Sequence, residues 1–390
     1  MRVVLLNSEP VDYTIAYANG LAPHAETTAI LPRARYAALR EWIDPRVRLE
    51  LVDWPRNRSL RNPAFLFWLS RRLKALDPDV LHLLSNTSPW LNLALPFWRG
   101  RPVVTTVHDV TIHPGDRDTA RLPGWASRLV ARQSDQLIVH GQTLRSAACD
   151  TFAKPASAVH VLQHPAICRY AELAQREGMA EKPDPKGFNI LLFGRIFAYK
   201  GLETLIRAEA RLGPRLPGLR ITIAGRGDDP WSLRALMGAP ERYDIRSGFI
   251  DDPEVARLFS EADVVVLPYD EASQSGVLHV AASFGKPVVV TDVGELRATV
   301  EPNGIGLVVP PRAPAELAQA LLHLATHPED HARLARNALD WSRGANAPRT
   351  IGAAAVALYA ELVDAAAPYA ERISVQTDGA HCPERRLDPK

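Results

Sequence analysis

Short apolar runs rich in β-branched residues recur along the chain and alternate with longer segments of helical periodicity. In the first half they are Val3–Leu6, Val80–Leu84, Val103–Val107, Gln136–Val139 and Val159–Leu162. After Gly187 they are Asn189–Phe193, Arg220–Ala224, Ile245–Phe249, Asp263–Leu267, Pro287–Val290 and Gly306–Val309. Continuous apolar strands separated by helices are typical of parallel sheets covered by helices on both faces. The pattern predicts an α/β chain with two doubly wound, Rossmann-like domains that face each other across a cleft.

The boundary between the two series is the polar stretch 166–186, which contains Glu-Lys-Pro-Asp-Pro-Lys and predicts a linker. We expect one domain over 1–170 and a second over 187–345. An alanine-rich stretch interrupted by Glu361 and Asp364 predicts an amphipathic helix over about 346–368, which packs back on the first domain and does not span a membrane. Residues 374–390 are polar and without periodicity, which predicts a disordered tail.

Charge is divided unevenly between the halves. The whole chain has 46 basic and 44 acidic residues, and this balance does not favour nucleic-acid binding. Residues 1–186 carry 24 basic and 18 acidic residues, or +6, and the remainder carries 22 and 26, or −4. Three cysteines without the spacing of a zinc site or a disulfide framework, and a start that lacks a signal-peptide pattern, predict a cytoplasmic protein.

Ligands of such sheets bind outside the carboxyl ends of the strands, so the loops there are where chemistry is expected. Gly194, Arg195 and Lys200 lie between a strand and a helix. Two cations beside a helix N-terminus predict a site for a diphosphate, and the alternative is that both are solvated surface charges. Gly225 lies in a glycine turn after the next strand and permits close approach of a nucleotide.

Later loops carry further candidates. Ser275, Gly276 and Val277 begin a helix whose N–H groups suit a phosphate or a sugar hydroxyl. Ser273 either contributes to this site or only caps the helix. Phe249 and Ile250 either wall a nucleotide base or belong to the core.

In the first half, His108 ends a strand, a position where a lone histidine is more often structural than catalytic. His113 and His164 are weaker candidates, and no paired spacing of His and Cys predicts a metal site.

Several of these motifs, taken in order, resemble family-4 retaining glycosyltransferases of the GT-B fold. They are Gly-Arg and Lys-Gly within 194–201, Gly-Phe-Ile at 248–250, Leu-Pro-Tyr at 267–269, Ser-Gly-Val at 275–277, and Gly-Lys-Pro-Val-Val-Val-Thr-Asp-Val-Gly at 285–294. His108-Asp109 and Ile138-Val-His-Gly141 fit the first half of the family. The resemblance implies transfer of a sugar from a UDP- or GDP-linked donor to an acceptor hydroxyl, with retention of configuration and no metal or other cofactor.

The resemblance also assigns roles. Arg195 and Lys200 would hold the donor diphosphate and stabilise the leaving group, and Phe249 and Ile250 would flank the base. The N–H groups of Ser275–Val277 would hold a phosphate, and His108 would contact the donor sugar. No protein nucleophile is implied, since the leaving phosphate takes the acceptor proton.

One departure concerns the two glutamates, separated by seven residues, that the family usually carries. Their positions here hold Ala272 and Val280, whose side chains accept no hydrogen bond. Glu271, Ser273 and Gln274 are the residues that would rebuild the sugar contacts, and the Ser-Gln-Ser-Gly-Val stretch resembles a subgroup of the family. The departure leaves two alternatives to a transferase, a nucleotide-sugar epimerase of the same fold and a catalytically silent sugar-nucleotide-binding subunit.

The segment 54–76 combines Trp68 and other aromatic residues with Arg71, Arg72 and Lys74. Its periodicity places Phe65, Leu66, Trp68, Leu69, Leu73 and Leu76 on one helical face, and Trp90, Phe97, Trp98, Arg99 and Arg101 extend the surface. One interpretation is a helix packed on the first sheet with its basic side in water. The other is an interfacial helix that meets an anionic membrane on the inner face of the plasma membrane and admits a glycan or lipid-linked acceptor, as in cell-envelope or exopolysaccharide assembly.

Overall fold

Two parallel sheets form the framework of the molecule, in a computed structural model that describes residues 1–7, 9–56, 59–98, 100–110, 124–179, 187–212 and 215–378. The first sheet has seven strands in the order β3-β2-β1-β4-β5-β6-β7 and the second has six in the order β10-β9-β8-β11-β12-β13. Every pairing between these strands is parallel. The two doubly wound sheets predicted from the apolar runs are confirmed.

The strands of the first sheet are β1 (Arg2–Leu6), β2 (Glu26–Pro32), β3 (Arg48–Val52), β4 (Val80–Leu83), β5 (Val103–Thr106), β6 (Gln136–Val139) and β7 (Val159–Val161). Those of the second are β8 (Phe188–Phe193), β9 (Leu219–Gly225), β10 (Tyr243–Ser247), β11 (Val264–Leu267), β12 (Val288–Thr291) and β13 (Gly306–Val309). Strands β4, β5, β11 and β12 are buried along their whole length, as helices on both faces require.

The helices between the strands of the first sheet are α1 (Val11–Leu21), α2 (Arg33–Tyr36), α3 (Asn62–Leu76), α4 (Gly124–Gln133) and α5 (Gln142–Phe152). Those that follow are α6 (Arg169–Arg176), α7 (Leu202–Leu212), α8 (Asp252–Glu261), α9 (Gly276–Ser283), α10 (Leu296–Asn303), α11 (Pro314–Thr326), α12 (Pro328–Arg343) and α13 (Pro348–Asp378). Short 3₁₀ turns at Pro89–Leu93 and Leu95–Phe97 lie beside α4.

Helix α13 returns from the second domain to the first. Ile351, Ala355, Tyr359 and Leu362 recur every three or four residues and are buried in the core that α1 also enters. The Tyr359 hydroxyl shares a hydrogen bond of 2.7 Å with Tyr17 and another of 2.6 Å with Nδ1 of His82. These contacts fix α13 to the first domain.

Several predicted strands begin or end one residue away from the observed bounds, and three predicted boundaries differ by more than that. The stretch 166–186 is not linker throughout, because α6 occupies part of it and packs against α8. The backbone of α13 includes 374–378, the first residues of the predicted tail, and 379–390 lie outside the described residues. Strand β10 ends at Ser247, because Gly248 turns the chain with a φ of +132°, so Phe249 follows the strand instead of ending it.

Candidate functional site

The loops that follow β8 and β9 meet at the carboxyl edge of the second sheet. The Gly194 amide donates to the Ala224 carbonyl at 2.9 Å. Gly225 has a φ of +146°, and a Cβ there would lie 1.7 Å from the Gly194 carbonyl oxygen. Only glycine permits this approach of two backbones, which brings the loop that carries Arg195 against the end of β9.

Tyr269 brings the predicted cations next to the start of α9. The Lys200 ammonium lies 3.7 Å from the centroid of the Tyr269 ring, a cation–π distance. The Tyr269 hydroxyl shares a hydrogen bond of 3.1 Å with the Ser275 hydroxyl. Burial raises the pKa of Tyr269 to about 12, although the charge of Arg195 opposes the shift, so the phenol keeps its proton at neutral pH. Arg195 and Lys200 are both half-buried, which disfavours the interpretation that they are solvated surface charges.

The N-terminus of α9 faces the same corner. Ser275 is its N-cap residue, but its side chain is bonded to Tyr269 and does not cap the helix. The amides of Gly276 and Val277 are in the first turn, where an α-helix offers no carbonyl partner. A Cβ at Gly194 would contact the Val277 side chain at 3.6 Å, so both loops and the helix start adjoin one another. Cations and helix N–H groups together suit a diphosphate.

Phe249 and Ile250 lie in the loop between β10 and α8. The Phe249 side chain is 89% exposed, which rules out the interpretation that it is a core residue. Ile250 is partly buried against the core of the second domain. Both residues line an open cavity of about 520 Å³ together with Asp251 and Arg257. An exposed aromatic face beside a cavity is an arrangement on which a planar base could stack.

The segment before α9 holds the residues expected to replace the missing glutamates. Glu271 is exposed, and Ser273 is buried with its carbonyl accepting from the Glu295 amide at 3.0 Å. Since Ser275 is the N-cap, Ser273 does not cap α9. The Gln274 Oε1 atom is buried, with no hydrogen-bond partner among the residues that the structure describes.

Histidines follow three neighbouring strands of the first sheet. His108, His140 and His164 come after β5, β6 and β7, and all three are buried. His164 stacks on His279 of α9, with ring centroids 4.3 Å apart, so the row of rings reaches the second domain. Burial lowers the pKa of each of these histidines. His108, predicted as a strand-end candidate, therefore belongs to a larger cluster.

Two charged residues also connect the domains. Arg169 of α6 is buried and donates to Asp12 of α1, and its Nη2 atom donates to Asp252 of α8 at 2.9 Å. The buried Glu295 carboxylate accepts from the Leu144 amide at 3.1 Å, in the first turn of α5. These contacts hold the carboxyl edges of the two sheets toward each other.

The surface predicted for the acceptor side differs from the one that the structure shows. In α3 the core side holds Leu66, Leu69 and Leu73, whereas Trp68 is 40% exposed and not in the core. Arg72 is bound to the Glu50 carboxylate, so only Arg71 and Lys74 remain as exposed cations of this helix. Trp90 and Trp98 are buried in the core below α3, and Phe97 is 83% exposed.

His113 and Arg99, both named from the sequence, lie outside the described ranges. Within those ranges, no group of three or more His, Cys, Asp or Glu side chains could hold a metal ion. Nor does any helix in the described part of the chain combine the length and apolar character needed to cross a bilayer.

Sequence reasoning missed Tyr269, His140, His279, Glu295 and Arg169 as residues of this region. Two of them carry a local signal, since Tyr269 ends the Leu-Pro-Tyr motif after a strand and His140 lies in the Ile138-Val-His-Gly141 stretch. The others meet through the topology of two sheets, which a linear pattern does not show.

Two family profiles match the chain, one on each side of the cleft. The profile described as Glycosyltransferase Family 4 matches residues 12–166. The profile described as Glycosyl transferases group 1 matches residues 187–327.

Among curated relatives, the chain is similar to alpha-D-kanosaminyltransferase of Streptomyces kanamyceticus, with 30% identity over 257 residues, 61% of this chain and 65% of that protein. It is also similar to D-inositol 3-phosphate glycosyltransferase of Pseudarthrobacter chlorophenolicus, with 35% identity over 174 residues, 42% of this chain and 41% of that protein. The matches thus span less than two thirds of either relative.

A solved structure extends the similarity to the whole fold. The Anabaena protein HepE, crystallised in complex with UDP, superposes with a TM-score of 0.67 at 18% identity over 93% of this chain and 100% of that one. At this identity the similarity concerns the fold, which is GT-B. With a matching family profile on each side of the cleft, the chain belongs to the family-4 glycosyltransferases of the GT-B fold.

Proposed function

We propose that the protein transfers a sugar from a UDP- or GDP-linked donor to an acceptor hydroxyl, with retention of configuration and without a metal ion. The observation that carries the proposal is the corner where Arg195, Lys200 and the start of α9 adjoin Tyr269. A diphosphate there would meet two cations and the helix N–H groups in a half-buried setting, where such contacts are stronger than in water.

The same groups would supply the catalysis. When the bond between the anomeric carbon and the phosphate oxygen breaks, negative charge develops on the leaving diphosphate, and Arg195, Lys200 and the α9 amides stabilise it. The acceptor oxygen attacks the anomeric carbon on the face from which the diphosphate leaves, and its proton passes to the leaving phosphate. The protein then contributes orientation and electrostatic stabilisation without a nucleophile of its own.

Gln274 replaces the missing carboxylate in this proposal. Its Oε1 atom is buried without a partner among the described residues, whereas Glu271 is exposed. A buried amide oxygen suits a sugar hydroxyl as a hydrogen-bond donor.

A surface of the first domain, here called the aromatic surface, would meet the membrane that carries a lipid-linked acceptor. Its exposed apolar members are Phe67, Trp68, Leu93, Phe97 and Trp125. Arg71 and Lys74 lie on the same helix as Phe67, and aromatic side chains beside cations are typical of surfaces that bind anionic lipid. Cell-envelope glycan or exopolysaccharide assembly at the inner face of the plasma membrane is the setting that such an acceptor implies.

The proposal is tested by nucleotide release from a panel of UDP- and GDP-sugars, with and without candidate acceptors, in metal-free buffer. The double variant Arg195→Ala plus Lys200→Ala should lower the rate about 100-fold or more, because loss of one preorganised donor already costs about that much. Arg207→Ala plus Arg211→Ala, which removes two exposed cations of α7, is the matched control and should retain the rate.

Three results would contradict the proposal. Full activity of the Arg195 and Lys200 variant would refute the diphosphate site. Isomerisation of the sugar without an acceptor would identify an epimerase. Binding of a nucleotide-sugar without turnover by any acceptor of the panel would identify a silent binding subunit.

A further inference from the structure

The row of buried histidines contains two ring nitrogens whose hydrogen-bonding capacity is unused. His108 is 8% exposed and His140 is 7% exposed, and their ring centroids are 5.1 Å apart. The two rings follow β5 and β6, which are neighbours in the first sheet. They are therefore side by side at the edge that faces the second domain.

Their tautomers follow from their contacts. Nε2 of His108 lies 2.9 Å from the Leu84 carbonyl oxygen, and Nδ1 of His140 lies 2.9 Å from the Leu162 carbonyl oxygen. A carbonyl only accepts, so each of these nitrogens carries the proton. Burial lowers the pKa of both rings, which keeps them neutral. Nδ1 of His108 and Nε2 of His140 are therefore lone pairs that accept hydrogen bonds.

Both lone-pair nitrogens are buried without a hydrogen-bond partner in the described ranges. A buried acceptor without a donor loses the hydrogen bonds that it would make with water, so an unfilled pair lowers stability. Other histidines of the cluster do not show it. His82 uses both nitrogens, with Tyr359 and Thr106, and Nδ1 of His279 is bonded to Asn346. Two adjacent acceptors left open in this way point to a ligand that carries hydroxyl donors.

The position of the pair indicates which ligand this is. The ring centroids of His140 and His164 are 5.3 Å apart, and His164 stacks on His279. His279 lies one turn into α9, the helix whose start forms the diphosphate corner. In the proposed function, on which this inference rests, the sugar lies between that corner and the first domain. We propose that His140, beside His108, accepts a hydrogen bond from a hydroxyl of the transferred sugar and so contributes to donor specificity. The site then gains an acceptor although Ala272 occupies the position of the family's carboxylate.

Two substitutions separate the roles of the two nitrogens. In His140→Asn the amide NH₂ takes the place of Nδ1 and still donates to Leu162, but no acceptor remains at the position of Nε2. In His140→Gln the amide reaches the position of Nε2, and its oxygen restores the acceptor. His140→Asn therefore keeps the structural bond to Leu162 and loses the proposed bond to the ligand, whereas His140→Gln loses the first and keeps the second.

Affinities are measured by calorimetry for UDP, GDP, UDP-glucose, UDP-N-acetylglucosamine and GDP-mannose. His140→Asn should bind the free nucleotides as the wild type does, and should bind the preferred nucleotide-sugar about fivefold more weakly, as the loss of one hydrogen bond predicts. His140→Gln should recover part of that loss. A nucleotide-sugar in which fluorine replaces the contacted hydroxyl should bind the wild type more weakly than the unmodified donor does. His140→Asn should bind both donors equally.

A measurement on the wild type covers the case in which a variant does not fold. In ¹⁵N-histidine NMR spectra, the Nε2 signal of His140 should shift upfield when the preferred nucleotide-sugar is added, and not when its nucleotide alone is added.

The outcomes distinguish a failure of this inference from a failure of the proposed function. Equal affinity of His140→Asn and the wild type for the nucleotide-sugar would overturn this inference and leave the proposed function intact. Equal weakening toward the free nucleotide would make His140 a structural residue. If the wild type bound no member of the panel, the proposed function would fail, and this inference with it.

Discussion

Buried histidines are the residues through which pH acts most directly on this protein. His82 and His279 are buried, and this burial lowers the pKa of each to about 3. An exposed histidine in the unfolded chain has a pKa of about 6.5. Between these two values the unfolded state binds protons that the folded state does not, so the free energy of unfolding decreases as pH falls through this window.

At pH 5, each of the two histidines should lower the free energy of unfolding by about 2 kcal/mol relative to pH 7. The decrease is 1.36 kcal/mol for each pH unit below about 6.5. Urea unfolding at the two pH values measures this difference. In His82→Gln the free energy of unfolding should decrease less between pH 7 and pH 5 than in the wild type, by the amount that one histidine contributes. An equal decrease in both proteins would show that His82 is protonated in the folded state.

At the scale of secondary structure, the sequence predicts strands with consecutive apolar residues well and strands interrupted by polar residues poorly. The predicted bounds of Gln136–Val139 and Gly306–Val309 agree with β6 and β13, because the last three residues of each strand are consecutive and apolar. No run predicts β2 or β3. Strand β3 alternates Arg48, Leu49, Glu50 and Leu51 at the edge of the sheet, and β2 ends in a proline. The alternation in β3 is that of a partly exposed edge strand. Strand β2 is an inner, buried strand, and it is missed because Glu26, Thr27 and Thr28 shorten its apolar run.

The candidate site was predictable where its residues share one loop. Arg195 and Lys200 lie five positions apart and meet at Tyr269, as a strand-end loop suggests. His140 and His279 lie far apart along the chain and come together only because strand order and domain packing bring them close. Linear spacing contains no information on this second kind of contact.

The start of α5 depends on a residue of the other domain. Gly141 is its N-cap residue and has no side chain to cap the first turn, so the Glu295 carboxylate accepts from the Leu144 amide across the cleft. A Cβ at Gly141 would lie 1.9 Å from Cδ of Glu295, so the glycine leaves the room that the carboxylate needs.

Glu295→Ala should therefore lower the free energy of unfolding by about 1 kcal/mol, the usual value of an N-cap, and should speed hydrogen exchange of the α5 amides. Gly141→Ala should have the same effect on α5 by displacing the carboxylate. Glu301→Ala on α10, which removes an exposed partner of Arg297, is the control and should leave exchange in α5 unchanged. Unchanged exchange in both Glu295→Ala and Gly141→Ala would contradict a cap that spans the domains.

At the scale of the whole molecule, two of the basic residues in 1–186 lie beside the aromatic surface of the first domain. Phe67 is 67% exposed, Phe97 is 83% exposed, and Arg71 and Lys74 share α3 with Phe67. The Trp98 indole donates to the Ser70 hydroxyl at 2.9 Å, which holds the turn that carries Phe97 against α3. Apolar and basic side chains therefore lie close together on one face of the first domain.

We expect the protein to sediment with vesicles that contain phosphatidylglycerol and not with vesicles of phosphatidylcholine alone. Phe67→Ser plus Phe97→Ser, and separately Arg71→Glu plus Lys74→Glu, should each reduce the bound fraction severalfold. Trp231→Ser, which removes an exposed aromatic side chain of the second domain, serves as the control. Binding that responds to neither salt nor these substitutions would eliminate the aromatic surface as a lipid contact.

The carboxylates that hold Arg169 come from different domains, Asp12 from the first and Asp252 from the second. The guanidinium is buried, and a buried charge that keeps only part of its partners is costly. The two domains are consequently not interchangeable modules. A chimera that joins this second domain to the first domain of a relative would have to bring an acid at position 12 along with Arg169, so exchange of donor specificity between family members requires these residues to be transferred as a set.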